Sequence, residues 1–247
     1  MIPKPEAIIF DLDDTLIMSD GTMESTWMEM CEVYSATHSA IKAETLFRAI
    51  RDVAEWYWSD ESRHREGRTN LKQARRVIVR KGFEQLGVSQ KDDADRLADS
   101  YSEKRLQSLE LFEGVHELLA DIQKLRIPLA LLTNGEQHIQ QAKIDRFNLE
   151  PYFDSIRIEG EVGFGKPEEK AYLETLKILG TSAADTWIVG DNLQWEVEIP
   201  KTLGFFTIWM NYYHRKIDGG HIVPDRVIQQ IGEIRPLVEE SYKRGDT

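Results

Sequence analysis

The sequence predicts an α/β protein: a doubly wound, Rossmann-like parallel sheet with an all-helical region inserted near its start. Three observations carry this. Short apolar runs, rich in β-branched and aromatic residues and not alternating with polar ones, recur between turn residues, as strands buried on both faces do. Amphipathic stretches separate most of these runs, so strand and helix alternate, and the connections are right-handed crossovers. Residues 18–108 break the pattern, with no convincing strand among them.

In chain order, the predicted strands are "AIIF" (7–10), "IPLALLT" (127–133), "DSIRI" (154–158), "TWIVG" (186–190) and "GFFTIWM" (204–210), with a weaker one at "DRVI" (225–228). Between them, "GVHELLADIQKL", "EQHIQQAKIDRFNL", "PEEKAYLETLKILG" and "EVEIPKTLG" read as amphipathic helices, and a last helix runs on from Ile231. Four helices are expected in the insert, at about 22–38, 42–59, 69–87 and 90–107, with "SRHREGR" (62–68) as a loop and Trp56, Tyr57 and Trp58 as core. The expected organisation is therefore a core domain from residues 1–17 and 109–247, and a helical domain at 18–108.

Bulk properties narrow the function. A chain of 247 residues with 41% hydrophobic and 30% charged residues is able to build a sizeable core. The formal net charge of -12 argues against bulk binding to nucleic acid or to anionic membranes. The single cysteine, Cys31, excludes an internal disulfide and a cysteine-based zinc cluster. No apolar run approaches the roughly 20 residues of a membrane span, and "MIPKPEAIIF" is too short a signal peptide, so a cytoplasmic protein is expected.

Chemistry is concentrated where strands end, which is where doubly wound sheets bind ligands. "EAIIFDLDDTL" (6–16) places Asp11, Asp13 and Asp14 just beyond a buried strand, where they repel one another unless a cation joins them. An EF-hand loop counted from Asp11 fails, with Leu16 where glycine belongs and Thr22 where glutamate belongs. "LLTNG" (131–135) brings Thr133 and Asn134 to a helix start, suited to a phosphate cradle or to simple capping. In "GEVGFGKPEEKAY" (160–172), Gly160, Gly165 and Lys166 fit a P-loop spacing. Pro167, however, stands where serine or threonine is required and removes a backbone donor. It suits the first turn of a helix, with Lys166 extended before it. "WIVGDNLQWEVEI" (187–199) ends another strand at Gly190 and Asp191, followed by Glu196.

The set "DLDDT", "LLTNG", "GKP" and "GDNLQWE", in this order, resembles the haloacid dehalogenase superfamily, and the helical insert is similar to the cap of its C1 subfamily. The resemblance covers nearly the whole chain and implies a phosphomonoester hydrolase acting on a small phosphorylated metabolite. Sugar phosphates, phosphoglycolate, nucleoside monophosphates and sugar-acid phosphates are the expected classes. It implies Asp11 as nucleophile forming an aspartyl-phosphate, Asp13 as general acid and then base, and Thr133, Asn134 and Lys166 as phosphate binders. It also implies magnesium held by Asp11, the Asp13 carbonyl and Asp191, with Glu196 the remaining metal candidate. The family usually carries aspartate at position 196; the longer glutamate suggests contact through water or a role in orienting Lys166. Dehalogenases of the superfamily have tyrosine where Asp13 stands, so phosphate chemistry is preferred over halide displacement, a phosphomutase, or a non-catalytic relative.

Substrate recognition is expected in the insert. Residues 47–81 hold ten Lys and Arg against five Asp and Glu, and Arg63 or Arg68 of the expected loop would contact an anionic leaving group.

Overall fold

The first apolar run forms β1 (Ala7–Phe10), with all four side chains buried, in a computed structural model that describes residues 2–38, 40–216 and 223–243. After β1 come β2 (Ile17–Met18) and five helices: α1 (Met23–Thr37), α2 (Ala43–Trp58), α3 (Glu61–Thr69), α4 (Leu71–Gln85) and α5 (Lys91–Gln107). The chain continues through β3 (Glu110–Leu111), α6 (Val115–Lys124), β4 (Leu129–Thr133), α7 (Gln137–Arg146), β5 (Ser155–Ile158), α8 (Glu159–Val162) and α9 (Glu169–Leu179). It closes with β6 (Thr186–Gly190), α10 (Ile199–Leu203), β7 (Phe206–Met210), β8 (Arg226–Ile228) and α11 (Ile234–Lys243).

The chain divides into two units, Met1–Met18 with Glu110–Thr247, and Ser19–Leu109. The division falls one residue later at each end than the sequence suggests. The short strands β2 and β3 pair antiparallel, Ile17 opposite Leu111 and Met18 opposite Glu110, and so keep Met18 with the sheet unit.

In the sheet unit, six strands run in the order β5-β4-β1-β6-β7-β8, and every pairing is parallel. The order reverses at β1, which lies between β4 and β6. Loops at the carboxyl ends of β1, β4 and β6 therefore meet at the switch point of the sheet. Ile9, Ala130, Leu132 and Ile188 pack with Ala171, Tyr172 and Leu176 of α9, which fixes the helix that follows the lysine loop. Such apolar strands, covered by helices, need no polar side chains of their own.

The helical unit has its own core, including Met30, Leu46, Ile50, Val53, Val79, Phe83, Leu97 and Tyr101. Two expectations fail here. Residues 61–69 form a helix instead of a loop, started by the Asp60 carboxylate accepting the Arg63 N–H at 2.9 Å. The aromatic triplet is also not all core: Tyr57 is buried and Trp58 half-buried, but Trp56 is 46% exposed.

Candidate active site

The parallel register sets the site. Phe10 lies opposite Leu131 of β4 and Val189 of β6, so Asp11, Thr133 and Asp191 leave the sheet at neighbouring strand ends. The Asp11 N–H donates to the Val189 carbonyl at 2.9 Å, tying the first acidic residue to the adjacent strand. Asp14 has a positive φ of 58° at the turn and accepts a hydrogen bond from the Tyr213 hydroxyl at 3.0 Å.

Asp11 is gripped on both oxygens. Lys166 Nζ lies 2.5 Å from Oδ1, and the Thr15 hydroxyl donates to Oδ2 at 3.2 Å. Lys166 itself is only 1% exposed and also reaches Glu196 Oε1 at 2.7 Å, an ion pair by distance without hydrogen-bond alignment. The other Glu196 oxygen accepts the Asn192 N–H at 2.9 Å. Both oxygens of Glu196 thus have partners within the protein.

The lysine loop is held by the asparagine loop. Asn134 Oδ1 accepts the Lys166 N–H at 2.8 Å, and its Nδ2 donates to the Lys166 carbonyl at 2.6 Å, a two-point clamp resembling strand pairing. Gly165 is demanded by that clamp, since a Cβ there would lie 2.5 Å from Asn134 Oδ1. Gly190 is demanded by Glu196, whose Cγ would lie 2.0 Å from an added Cβ. The helix after this loop starts at Glu169, not at Pro167. The Lys166–Pro167 peptide is cis, in a turn closed by the Glu168 N–H donating to the Gly165 carbonyl at 2.9 Å.

Burial and mutual repulsion shape the titration of these carboxyls. Burial pushes Asp11 up, against the opposing pull of Lys166. Burial, reinforced by the charges of Asp11, Glu196 and Asp14, pushes Asp191 up to about 9, although Arg215 Nη1 lies 3.2 Å from its Oδ2. Glu196 is pushed up to about 7 by burial, with Lys166 opposing. Burial works against the Lys166 charge, but Asp11 and Glu196 outweigh it and hold the ammonium protonated. Carboxyl groups are thus in excess over cations around Asp11 and Asp191, which opposes their ionisation. A hard divalent cation suits such oxygen donors and removes that excess. Among the described residues no three acidic, imidazole or thiol side chains converge as a metal cage.

Asp13 lies in a different setting. Lys143 Nζ is 2.7 Å from each of its carboxylate oxygens, and Gln140 Nε2 donates to Oδ2 at 2.9 Å. Sequence reasoning missed Thr15, Gln140 and Lys143. The signal available was spacing: Gln140 and Lys143 share a face of the helix that leaves the Thr133–Gly135 loop.

Asp11, Asp13, Thr133, Asn134, Lys166, Asp191 and Glu196 are therefore gathered at the carboxyl-terminal end of the sheet. Arg63 and Arg68 belong to the other unit and sit on α3. The Arg63 guanidinium donates to the carbonyls of Trp56 (2.6 Å) and Tyr57 (3.2 Å) and stacks 4.0 Å from the Trp56 ring. It caps the end of α2, a local task that the expected loop did not include.

The chain is similar to known proteins along most of its length. Rat N-acylneuraminate-9-phosphatase is 28% identical over 228 residues, covering 85% of this chain and 84% of that protein. The pyrimidine 5'-nucleotidase of Escherichia coli is 25% identical over 236 residues, covering 95% and 98%. In structure, a putative hydrolase from Bacillus subtilis, solved bound to magnesium, superposes with a TM-score of 0.73 at 21% identity, covering 95% of this chain and 99% of that one. Residues 5–203 match the haloacid dehalogenase-like hydrolases, and the chain belongs to that family.

Proposed function

We propose that the chain is a magnesium-dependent phosphomonoesterase that hydrolyses a small phosphorylated metabolite through an aspartyl-phosphate on Asp11. The observation that carries this reading is the contrast between two carboxylates two residues apart. Asp11 is pinned by Lys166 and Thr15 at the buried strand end, while Asp13 is held separately by Lys143 and Gln140. Neighbouring carboxyls in distinct environments suit distinct roles, one as nucleophile and one as proton carrier. The family's curated phosphatases, and their shared coverage with this chain, support the same class of activity.

In the first step an Asp11 carboxylate oxygen attacks phosphorus, the bond from phosphorus to the leaving oxygen breaks, and Asp13 gives that oxygen its proton. In the second, Asp13 takes a proton from water as the water oxygen attacks phosphorus. The bond from phosphorus to Asp11 breaks, releasing inorganic phosphate and restoring the carboxylate. Lys166, fixed by Asn134 and Glu196, balances the anionic phosphoryl group, and the Thr133 hydroxyl donates to it. Magnesium, held by Asp11, Asp191 and the Asp13 carbonyl, would supply charge neutralisation for the phosphoryl oxygens. Arg63 and Arg68 stay together as the proposed contacts to the remainder of the substrate, the Arg63 guanidinium being engaged at the end of α2 in this structure.

Among the described residues no helix is long and apolar enough to cross a membrane, and the acidic charge disfavours nucleic acid as substrate. The test is hydrolysis of 4-nitrophenyl phosphate with and without magnesium. Magnesium-dependent phosphate release is expected. Halide release from 2-haloacids, with no phosphate ester hydrolysed, overturns the reading.

A further inference from the structure

Helix α7 leaves directly from the Thr133–Gly135 loop, and two of its side chains turn back onto the strand ends. The Gln140 amide is 2% exposed. Its Nε2 lies within hydrogen-bond distance of Asp13 Oδ2 (2.9 Å), Thr133 Oγ1 (2.6 Å) and the Asn134 carbonyl (2.9 Å). One turn further on, Lys143 straddles both oxygens of Asp13 at 2.7 Å, its side chain only 12% exposed.

These contacts do more than neutralise a charge. An amide nitrogen only donates, and with two hydrogens for three acceptors Gln140 lies nearest Thr133 Oγ1, at 2.6 Å, which makes that oxygen an acceptor. The Thr133 proton must then point elsewhere, and the Asn134 carbonyl lies at a long 3.4 Å from Oγ1. The hydroxyl is thereby left ready to donate to an anionic oxygen at the carboxyl ends of the strands. The same amide fixes one oxygen of Asp13, and Lys143 fixes both. A carboxylate on a turn has free rotation about two bonds, and proton transfer needs its oxygens within a few tenths of an ångström of the reacting atom.

We propose that Lys143 and Gln140 are positioning residues for the proton-transfer step. They clamp Asp13 in place and set the direction of the Thr133 hydroxyl. The proposal rests on the phosphatase reading above. Charge on the clamp is supplied by Lys143, while Gln140 links Asp13 to the phosphate-binding loop. A pair with only a structural role would lower stability and affect every substrate alike.

The test compares two esters by kcat/KM, which reports formation of the phosphoenzyme. One is 4-nitrophenyl phosphate, whose phenolate leaves without a proton. The other is the alkyl ester that the wild-type protein turns over fastest in a panel of sugar, sugar-acid and nucleoside phosphates, whose alkoxide must be protonated. Lys143→Met is expected to lose about tenfold or more beyond its loss on the aryl ester when given the alkyl ester, since general acid catalysis contributes roughly 100-fold to 10,000-fold. Lys143→Arg restores most of that loss, and Gln140→Met shifts the ratio in the same direction by less. Should Lys143→Met fail to fold, as judged by circular dichroism, Gln140→Met decides the question. Parallel losses on both esters, or none, overturn the clamp and leave the phosphatase reading standing. A wild-type protein inactive on every ester removes that reading, and the clamp falls with it.

Discussion

In the helical unit, Arg76 and Arg80 of α4 meet Asp99 and Asp95 of α5 in two-point pairs whose side chains remain roughly a fifth to a third exposed. In the sheet unit, Lys166 sits 1% exposed between Asp11 and Glu196, with Asp191 close enough to be raised by their charges. The first arrangement balances charge between facing helices that share an apolar core. The second concentrates negative charge from strand ends far apart in sequence around one buried cation. Exposed pairs contribute little and tolerate loss, whereas buried ones are costly to break because the surviving partner has no solvent. A fold keeps the second kind where chemistry needs it.

Predictions from this contrast run from large to small. Asp11→Asn, which keeps shape and removes the nucleophile, is expected to cut turnover of 4-nitrophenyl phosphate about a thousandfold or more. Lys166→Met strands two buried carboxylates and is expected to destabilise by roughly 3–5 kcal/mol in urea unfolding. Gly190→Ala forces the Glu196 side chain to move and is expected to cost about 1–3 kcal/mol, together with reduced turnover. Arg76→Ala, by comparison, is expected to move the urea midpoint far less than Lys166→Met and to leave kcat unchanged. If Arg76→Ala matched Lys166→Met in either measurement, the contrast between the units would fail.

A pH experiment sharpens the same contrast. Glu196 and Asp191 are raised on folding, to about 7 and about 9, so the folded metal-free protein holds protons that the unfolded chain has released. Their contribution is present below the ordinary carboxylate range and is lost as pH rises through those values. Thermal midpoints in a chelator are therefore expected to fall from pH 5 to pH 9, and added magnesium is expected to oppose that fall most at high pH. A midpoint that rises with pH in the chelator would contradict the electrostatics of the site.

The strands and the motif residues at their ends were legible in the sequence, because unbroken apolar runs and fixed spacing are local signals. The clamp of Asn134 on Lys166 was not, since it depends on two loops meeting through the sheet. Helix α3 was hidden because "ESRHREGRT" has no apolar face, and its start is held by the Asp60 side chain. The excess of basic residues in 47–81 invited a substrate role. The acids that answer part of it, Asp95 and Asp99, lie later in the chain on α5. Gln140 and Lys143 look like ordinary polar helix residues until the fold brings Asp13 to them.

The most direct measurement of the central claim is chemical identification of the phosphorylated residue. Protein quenched during turnover of an excess of ester, reduced with borohydride and digested, is expected to carry the modification on the peptide containing Asp11, and the Asp11→Asn protein is expected to carry none. Turnover with label on another residue, or steady hydrolysis with no covalent label at any quench time, would contradict the account.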